Sequence, residues 1–332
     1  MNVAFIIPTG IGCSIGGHAG DATPAAKLIA QCCDRLLLHP NVVNASDINE
    51  MPANSLYVEG STLDRVLEGS ISLKEVKTFN KILLVVNTPA RAETVNAVNA
   101  ARSTIGAEIE ILNLTSPLLM EAWVSDKGKA DGRADGVKSL INQVSNYKYD
   151  ALAIATPIFV ETKTVWEYFT SNKHKTNPWG AIEAKVSKQI ADALNKPVAH
   201  APVENDETKE NRELLEILYT DVVDRRKAAE VISSCYLHCV LKGLHKAPAI
   251  CHHNHGIGVD DIDALVTPHN CWGRPHNACR KAGIPIIAVR DNTPIVTATM
   301  PHPVIEVQNY LEAAGALSAM RAGVSLNSVK AM

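Results

Sequence analysis

Four short apolar runs constrain the fold of this 332-residue chain more than any other feature. VAFII (3–7), KILLVVN (81–87), AEIEILN (107–113) and DALAIAT (150–156) are mostly continuous rather than alternating. A strand with one wet face alternates apolar and polar residues. A continuous run fits a strand buried on both faces, as in a parallel sheet covered by helices. Helical segments lie between the runs: TPAAKLIAQCCDRLLL, PARAETVNAVNAARSTI and GVKSLINQVSNY. The βαβα order predicts an open, doubly wound α/β unit.

The second half repeats the grammar. IEAKVSKQIADALNK reads as a helix feeding the strand PVAHAP, and the stretch from ELLEIL to KGLHK reads as one or two helices. APAIC, DALVTP and IPIIAV read as strands, HNACRKAG as a helix, and VIEVQNYLEAAGALSAM as a helix that packs on the body or serves a homo-oligomer. The charged stretch GKADGRADG (128–136) reads as a loop. A chain this long exceeds one ordinary core. The fold expected is therefore α/β with two Rossmann-like halves of mainly parallel sheet, residues 1–175 and 176–332, and a cleft between them.

Charge and composition limit the partners. Lys and Arg number 32 against 35 Asp and Glu, so the formal charge of −3 offers no footprint for a polyanion. Nucleic acid is not expected as a partner, and aromatic residues are too scarce for a base-stacking surface. No membrane is expected either. The opening MNVAFIIPTG carries only about five apolar residues in a row, short of a signal peptide or a spanning helix. The reading is a cytoplasmic protein whose eight cysteines are reduced.

After the first strand comes PTGIGCSIGGHAGDATPAAKLIA, with Gly10, Gly12, Gly16, Gly17 and Gly20 ahead of a helix expected to be capped by Thr23. Strand, glycine turn and helix N-terminus form an anion site when backbone N–H groups are left open. The spacing is not the dinucleotide fingerprint, because Ile15 stands at the third glycine position, and no G-K-S/T follows. Gly12, Gly16, Gly17, Asp21 and Thr23 are candidate ligand contacts, while Cys13 and His18 either face the ligand or close the turn. The Asn-rich stretch 39–52 reads as a well-turned loop.

Twelve of the twenty His and Cys residues lie between Cys235 and Cys279. Cys235, His238 and Cys239 would share one helix face, with His245 further along the stripe, as metal ligands or as core. His253 and His255 follow the strand APAI at i, i+2 and would point to one side at its carboxyl end. Cys271 falls in the turn before a helix, where the dipole and Arg274 would favour a thiolate. It is the best nucleophile candidate, with His269 or His276 as its base. Cys279, about two helical turns on, reads as core. His200, Glu204 and Asp206 follow a strand and offer a carboxylate to a metal or to a histidine.

Two resemblances add to this. PTGIGCSIGGHAGDA, HPNVVNASDIN, KPVAHAPVEN, KGLHKAP and DALVTPHNCWGRP resemble an uncharacterised bacterial family of unknown function, common in photosynthetic bacteria, over most of the chain. The chain is also similar to aspartate/glutamate racemase-type enzymes, whose two α/β halves each place a Cys after a strand. VVNTPARAETVNAVNAAR resembles the first such turn, which implies ligand contacts at Asn87 and Thr88, and VTPHNCWGRPH resembles the second, with Cys271 as its Cys. Val86 stands where the first Cys would be, so a one-Cys isomerase, lyase or hydrolase fits better than a two-base racemase.

The expected function is an enzyme acting on a small anionic metabolite bearing a carboxylate or phosphate. Cys271 with His253, His255 or His269 would supply nucleophilic or acid/base chemistry, and Asn270 and Arg274 would complete the ligand contacts. One alternative is a zinc- or iron-dependent hydrolase with His253, His255 and Glu204 as ligands. Another is a non-catalytic sensor of a nucleotide or metabolite.

Overall fold

The computed structural model describes residues 1–329 except 19, 44–47, 172, 202–212, 214–215, 217–221, 224–225, 229–235 and 254. Its strands are β1 (Asn2–Phe5), β2 (Arg35–Leu38), β3 (Ser55–Tyr57), β4 (Ser72–Lys74), β5 (Ile82–Asn87), β6 (Ile109–Leu114), β7 (Leu119–Val124), β8 (Ala130–Asp135), β9 (Ala151–Ala155), β10 (Ile158–Val160), β11 (Val198–His200), β12 (Ala249–Cys251), β13 (Ala264–Pro268), β14 (Ile286–Val289) and β15 (Ile305–Val307). Its helices are α1 (Thr23–Ala30), α2 (Gly60–Leu67), α3 (Ala92–Ile105), α4 (Val137–Val144), α5 (Thr162–Thr170), α6 (Gly180–Leu194), α7 (Tyr236–Lys246), α8 (Arg274–Ala282) and α9 (Tyr310–Arg321).

The architecture is mixed α/β with mainly parallel sheets. Six parallel strands run in the order β15-β14-β13-β1-β2-β3, and four more in the order β11-β9-β5-β6. The six-stranded sheet takes strands from both ends of the chain, and the four-stranded sheet lies between them in sequence. A division at residue 175 therefore does not follow the sheets: the second unit is inserted into the first. His174 and Thr176, on either side of the expected division, pack against the glycine loop instead of linking two bodies.

Both sheets are covered on both faces, which explains their continuous apolar runs. Val3, Phe5, Leu36, Leu38, Val266 and Ile287 face α1 and α9. The intervening Ala4, Ile6, Leu37, Leu265 and Ile286 face α2 and α8. In the inserted sheet, Leu84 and Val86 face α3 and α7, while Leu83 and Val85 face α4 and α6. Each such Val, Leu, Ile or Phe side chain contributes about 1.5–3 kcal/mol by leaving water. The apolar face of α9 is spent on α1 in this way: Ala313, Ala314, Ala316 and Leu317 are all buried.

Several elements differ from the pattern reading. TPAAKLIAQCCDRLLL is not one helix: α1 ends at Ala30, and Leu36 to Leu38 become strand between β1 and β3. GKADGRADG is not a loop. Residues 130–135 pair antiparallel with β7 across a turn in which Ser125 and Lys129 bond, so cross-strand pairing overrides a polar composition. VIEVQNY opens with β15 before Asn309 caps α9.

Candidate functional site

The order of the larger sheet reverses between β1 and β13. In open α/β sheets, ligands gather beyond the carboxyl ends of strands at such a point. The two turns that leave there are the glycine-rich loop after β1 and the turn after β13 that carries Cys271. A strap from Thr293 to Met300 crosses both. Ser14 N–H donates to Thr293 O (3.2 Å), Ile295 N–H to Gly12 O (2.9 Å), Val296 N–H to Ile11 O (3.0 Å) and Ala298 N–H to Asn270 O (2.7 Å). Asn270 adopts a left-handed turn with φ 55° and serves the strap through its carbonyl.

Cys271 is buried at 2% exposure. Its thiol donates to Pro268 O (3.0 Å) and lies 3.3 Å from Thr267 Oγ1 and 3.8 Å from His276 Nε2. His276 is buried and accepts the Gly273 N–H at Nδ1 (3.1 Å). That bond leaves the ring proton on Nε2, which points to Thr267 Oγ1 at 2.9 Å. Burial holds the His276 pKa down to about 4, so the ring is neutral near pH 7. Burial pushes Cys271 up to about 11, although the Thr267 hydroxyl works in the opposite direction.

The thiol is therefore not the preformed thiolate expected from a helix N-terminus and Arg274. Arg274 turns away to α2, where it makes a two-pronged pair with Glu68 (2.6 and 2.7 Å) and stands 3.9 Å from Asp64. A cation spent on two carboxylates has little field left for a sulfur elsewhere.

A second thiol lies nearby. Cys13, at 1% exposure, is raised well above the usual thiol range by burial, then by the proximity of Cys271 and of Asp21. Burial pushes the Tyr310 hydroxyl above the usual phenol range, its bond from the buried Asn292 amide (2.7 Å) works in the opposite direction, and the proximity of Cys13, Cys271 and Asp21 raises it further. The Asn292 Oδ1 accepts the Ile15 N–H (2.9 Å), and its amide also donates to Ile15 O (2.9 Å), which clamps the glycine loop to the end of β14.

The glycine loop is packed, not open. Its backbone N–H groups at Ser14, Ile15 and Gly16 go to Thr293 O, Asn292 Oδ1 and Asp21 Oδ1. A Cβ at Gly12 would lie 2.5 Å from Thr176 Oγ1, and one at Gly17 would lie 2.3 Å from Cys13 O. His18 is buried against Tyr168, with Nδ1 2.6 Å from the phenol oxygen. The capping residue of α1 is Ala22, not Thr23, which sits one position inside the helix.

The other expected residues lie elsewhere. β12 is not a core strand: it pairs antiparallel with β4. His253 and His255 follow it, are exposed, and precede β13. Asp263 N–H, just before β13, bonds to Asn2 O at the amino edge of the sheet. These histidines thus enter from the edge opposite Cys271, and a five-residue strand, on the order of 15 Å, separates the two ends. His269 faces Glu306, 3.7 Å away, rather than the thiol. Asn87 is spent on the Leu118 backbone, donating to its O (3.0 Å) and accepting its N–H (2.9 Å), while Thr88 Oγ1 donates to Leu114 O (3.0 Å).

His238 approaches Thr104 Oγ1 (3.4 Å), and His245 stacks on Phe79 with ring centroids 4.1 Å apart. His200 is buried, with Nε2 3.1 Å from both Thr156 Oγ1 and Thr156 O. Glu204, Asp206 and Cys235 lie outside the described residues. Among the described residues no group of three or more His, Cys, Asp or Glu is placed to hold a metal ion, so the zinc or iron set built on His253 and His255 finds no support. Among the described residues, Cys13, Cys32, Cys33, Cys251, Cys271 and Cys279 are free thiols. Sequence reasoning missed Thr267 and Asn292. Thr267 had a signal, as the one hydroxyl in the apolar strand ALVTP, four residues before Cys271.

Residues 2–330 match the family described as Protein of unknown function (DUF3326). The chain belongs to that family. It is also 32% identical over 343 residues to a protein of Synechococcus sp. strain PCC 6301 called an uncharacterized lipoprotein, a match that spans 98% of this chain and 92% of that protein. Neither name speaks for the racemase-type resemblance. The relative's name contradicts the cytoplasmic location expected above, and that expectation is withdrawn. Among the described residues no helix is long and apolar enough to cross a membrane.

Proposed function

We propose that this protein is an enzyme of small-molecule chemistry whose reacting group is Cys271, supported by Thr267 and His276. The observation that carries the reading is the hydrogen-bonded row Cys271, Thr267 and His276 at the carboxyl end of β13, beside the strand where the sheet order reverses. Buried polar side chains so joined, next to a second thiol at Cys13, exceed what core packing needs. His276 replaces His253, His255 and His269 as the partner. Its Nε2 already carries a proton, so it supports a thiolate through Thr267 rather than taking the thiol proton directly. A ligand that enters beneath the strap and lowers the thiol pKa would switch on an isomerase, lyase or hydrolase step.

The test is untargeted. Purified protein is incubated with a small-metabolite extract, and the mixture is compared by mass spectrometry with the same extract treated with Cys271→Ala. A metabolite consumed by the native protein alone supports the reading. No consumption, or equal consumption by Cys271→Ala, sinks it. Binding without turnover would favour the sensor instead. The relative's name supports placing this chain at a membrane, and cell fractionation with an antibody checks that placement.

A further inference from the structure

The turn that enters α1 leaves two buried oxygens without a hydrogen-bond partner among the described residues: Asp21 Oδ2 and Thr23 Oγ1. Thr23 is only 6% exposed. Native proteins rarely leave such atoms unmet, and a missing bound group is one standard cause. The other Asp21 oxygen is fully used. Gly16 N–H donates to Oδ1 at 2.8 Å, and the backbone N–H groups of His18 and Asp21 also bond the carboxylate.

This arrangement changes what the glycine loop can bind. The N–H groups of Gly16, His18 and Asp21 already hold the chain's own carboxylate, and those of Ser14 and Ile15 bond Thr293 O and Asn292 Oδ1, so a second anion would meet a like charge there. Oδ2 lacks a donor. Arg226 Nη2 stands 3.7 Å from Oδ2, beyond hydrogen-bond range but close enough to balance the charge and to repel a ligand ammonium. A hydroxyl meets both needs, since it donates to Oδ2 and accepts from the Thr23 hydroxyl.

We propose that the turn from Asp21 to Thr23 is a binding site for a neutral, hydroxyl-bearing small molecule of the polyol or sugar class, held by Asp21 Oδ2 and Thr23 Oγ1. The site is defined by binding alone and stands whether or not Cys271 is a reacting group.

The test uses glycerol and myo-inositol as probes, with orthophosphate, acetate and ethanolamine for comparison. Saturation-transfer NMR is run on the full chain and on Asp21→Asn and Thr23→Val. Asp21→Asn keeps the oxygen that the three N–H groups hold and turns the other position from acceptor to donor. The native protein should bind a polyol. Asp21→Asn should bind it at least about tenfold more weakly and gain affinity for acetate. Thr23→Val should also weaken the polyol. The Thr23 hydroxyl bonds nothing among the described residues, so that variant carries the test should Asp21→Asn not fold. Polyol binding equal in all three proteins overturns the proposal. So does its absence from the native protein, as when an ordered water fills the turn, and so does preferential binding of phosphate or ethanolamine.

Discussion

Thr267 Oγ1 lies 3.3 Å from the sulfur of Cys271 and 2.9 Å from the imidazole Nε2 of His276, so one strand hydroxyl joins the buried thiol and the buried imidazole. With the thiol pushed up to about 11, on the order of one molecule in 10,000 carries a thiolate at pH 7. Cys271 should therefore alkylate with iodoacetamide more slowly than the half-buried Cys251. Thr267→Val, which removes the hydroxyl that favours the thiolate, should slow it further. Peptide mapping by mass spectrometry reads both rates. Fastest labelling at Cys271 in the ligand-free protein would contradict this description of the site.

His276 gives the protein an acid sensitivity. Its folded pKa of about 4 lies below the ordinary 6.5, so between these values the unfolded chain binds a proton that the folded chain refuses. Stability from this group is complete above pH 6.5 and falls as pH drops toward 4. His39, also held down to about 4 by burial, adds in the same sense. His276→Gln should lower stability at pH 7 through lost fit and flatten the slope between pH 6.5 and 4. Urea midpoints across that range check it, and an unchanged slope would count against a neutral buried ring.

Much of the fold was legible in the sequence, and less of the site. Continuous apolar runs such as VAFII and KILLVVN announce strands covered on both faces, because no polar residue interrupts them. The insertion was hidden: β13 joins β1 across about 260 residues, and no local pattern encodes a pairing at that range. Cys271 could be singled out from its turn, and its depth could not. The same turn that brings it near a helix N-terminus also buries it, and burial outweighs the dipole. His253 and His255 lie away from Cys271 because APAIC, which has the composition of a core strand, pairs with β4 instead of joining the larger sheet.

Asp64 should act in the opposite sense to His276. It lies on α2, which packs against α6 and α8, and burial raises its pKa to about 7 against the opposing pull of Arg274 and then Lys188, while Glu68 and Glu59 raise it further. Between the ordinary 3.8 and about 7 the folded chain holds a proton that the unfolded chain has lost. The contribution to stability is complete below pH 3.8 and fades as pH rises to 7. Asp64→Asn should remove this slope and leave the protein at least as stable at pH 8. Thermal melts from pH 5 to 8 decide it: a large loss of stability at pH 8 would mean that the charged form earns its place through Arg274.

Gly12 and Gly283 separate backbone strain from packing. Both hold positive φ, +68° and +73°. At Gly283, the C-cap of α8, an added Cβ meets nothing within 4 Å, so Gly283→Ala should cost only the left-handed backbone, about 1 kcal/mol. At Gly12 the same Cβ would lie 2.5 Å from Thr176 Oγ1 and 2.7 Å from Ile295 Cδ1, where the loop meets both the inserted unit and the strap. Thr176 is itself fixed there, donating to Gly128 O at 2.6 Å. Gly12→Ala should therefore cost the same backbone strain plus about 1–3 kcal/mol of overpacking. It should also raise hydrogen exchange at the strap amides of Ile295 and Val296, which bond to Gly12 O and Ile11 O. Equal destabilisation by the two substitutions would mean that the loop does not press on Thr176 and Ile295 in solution.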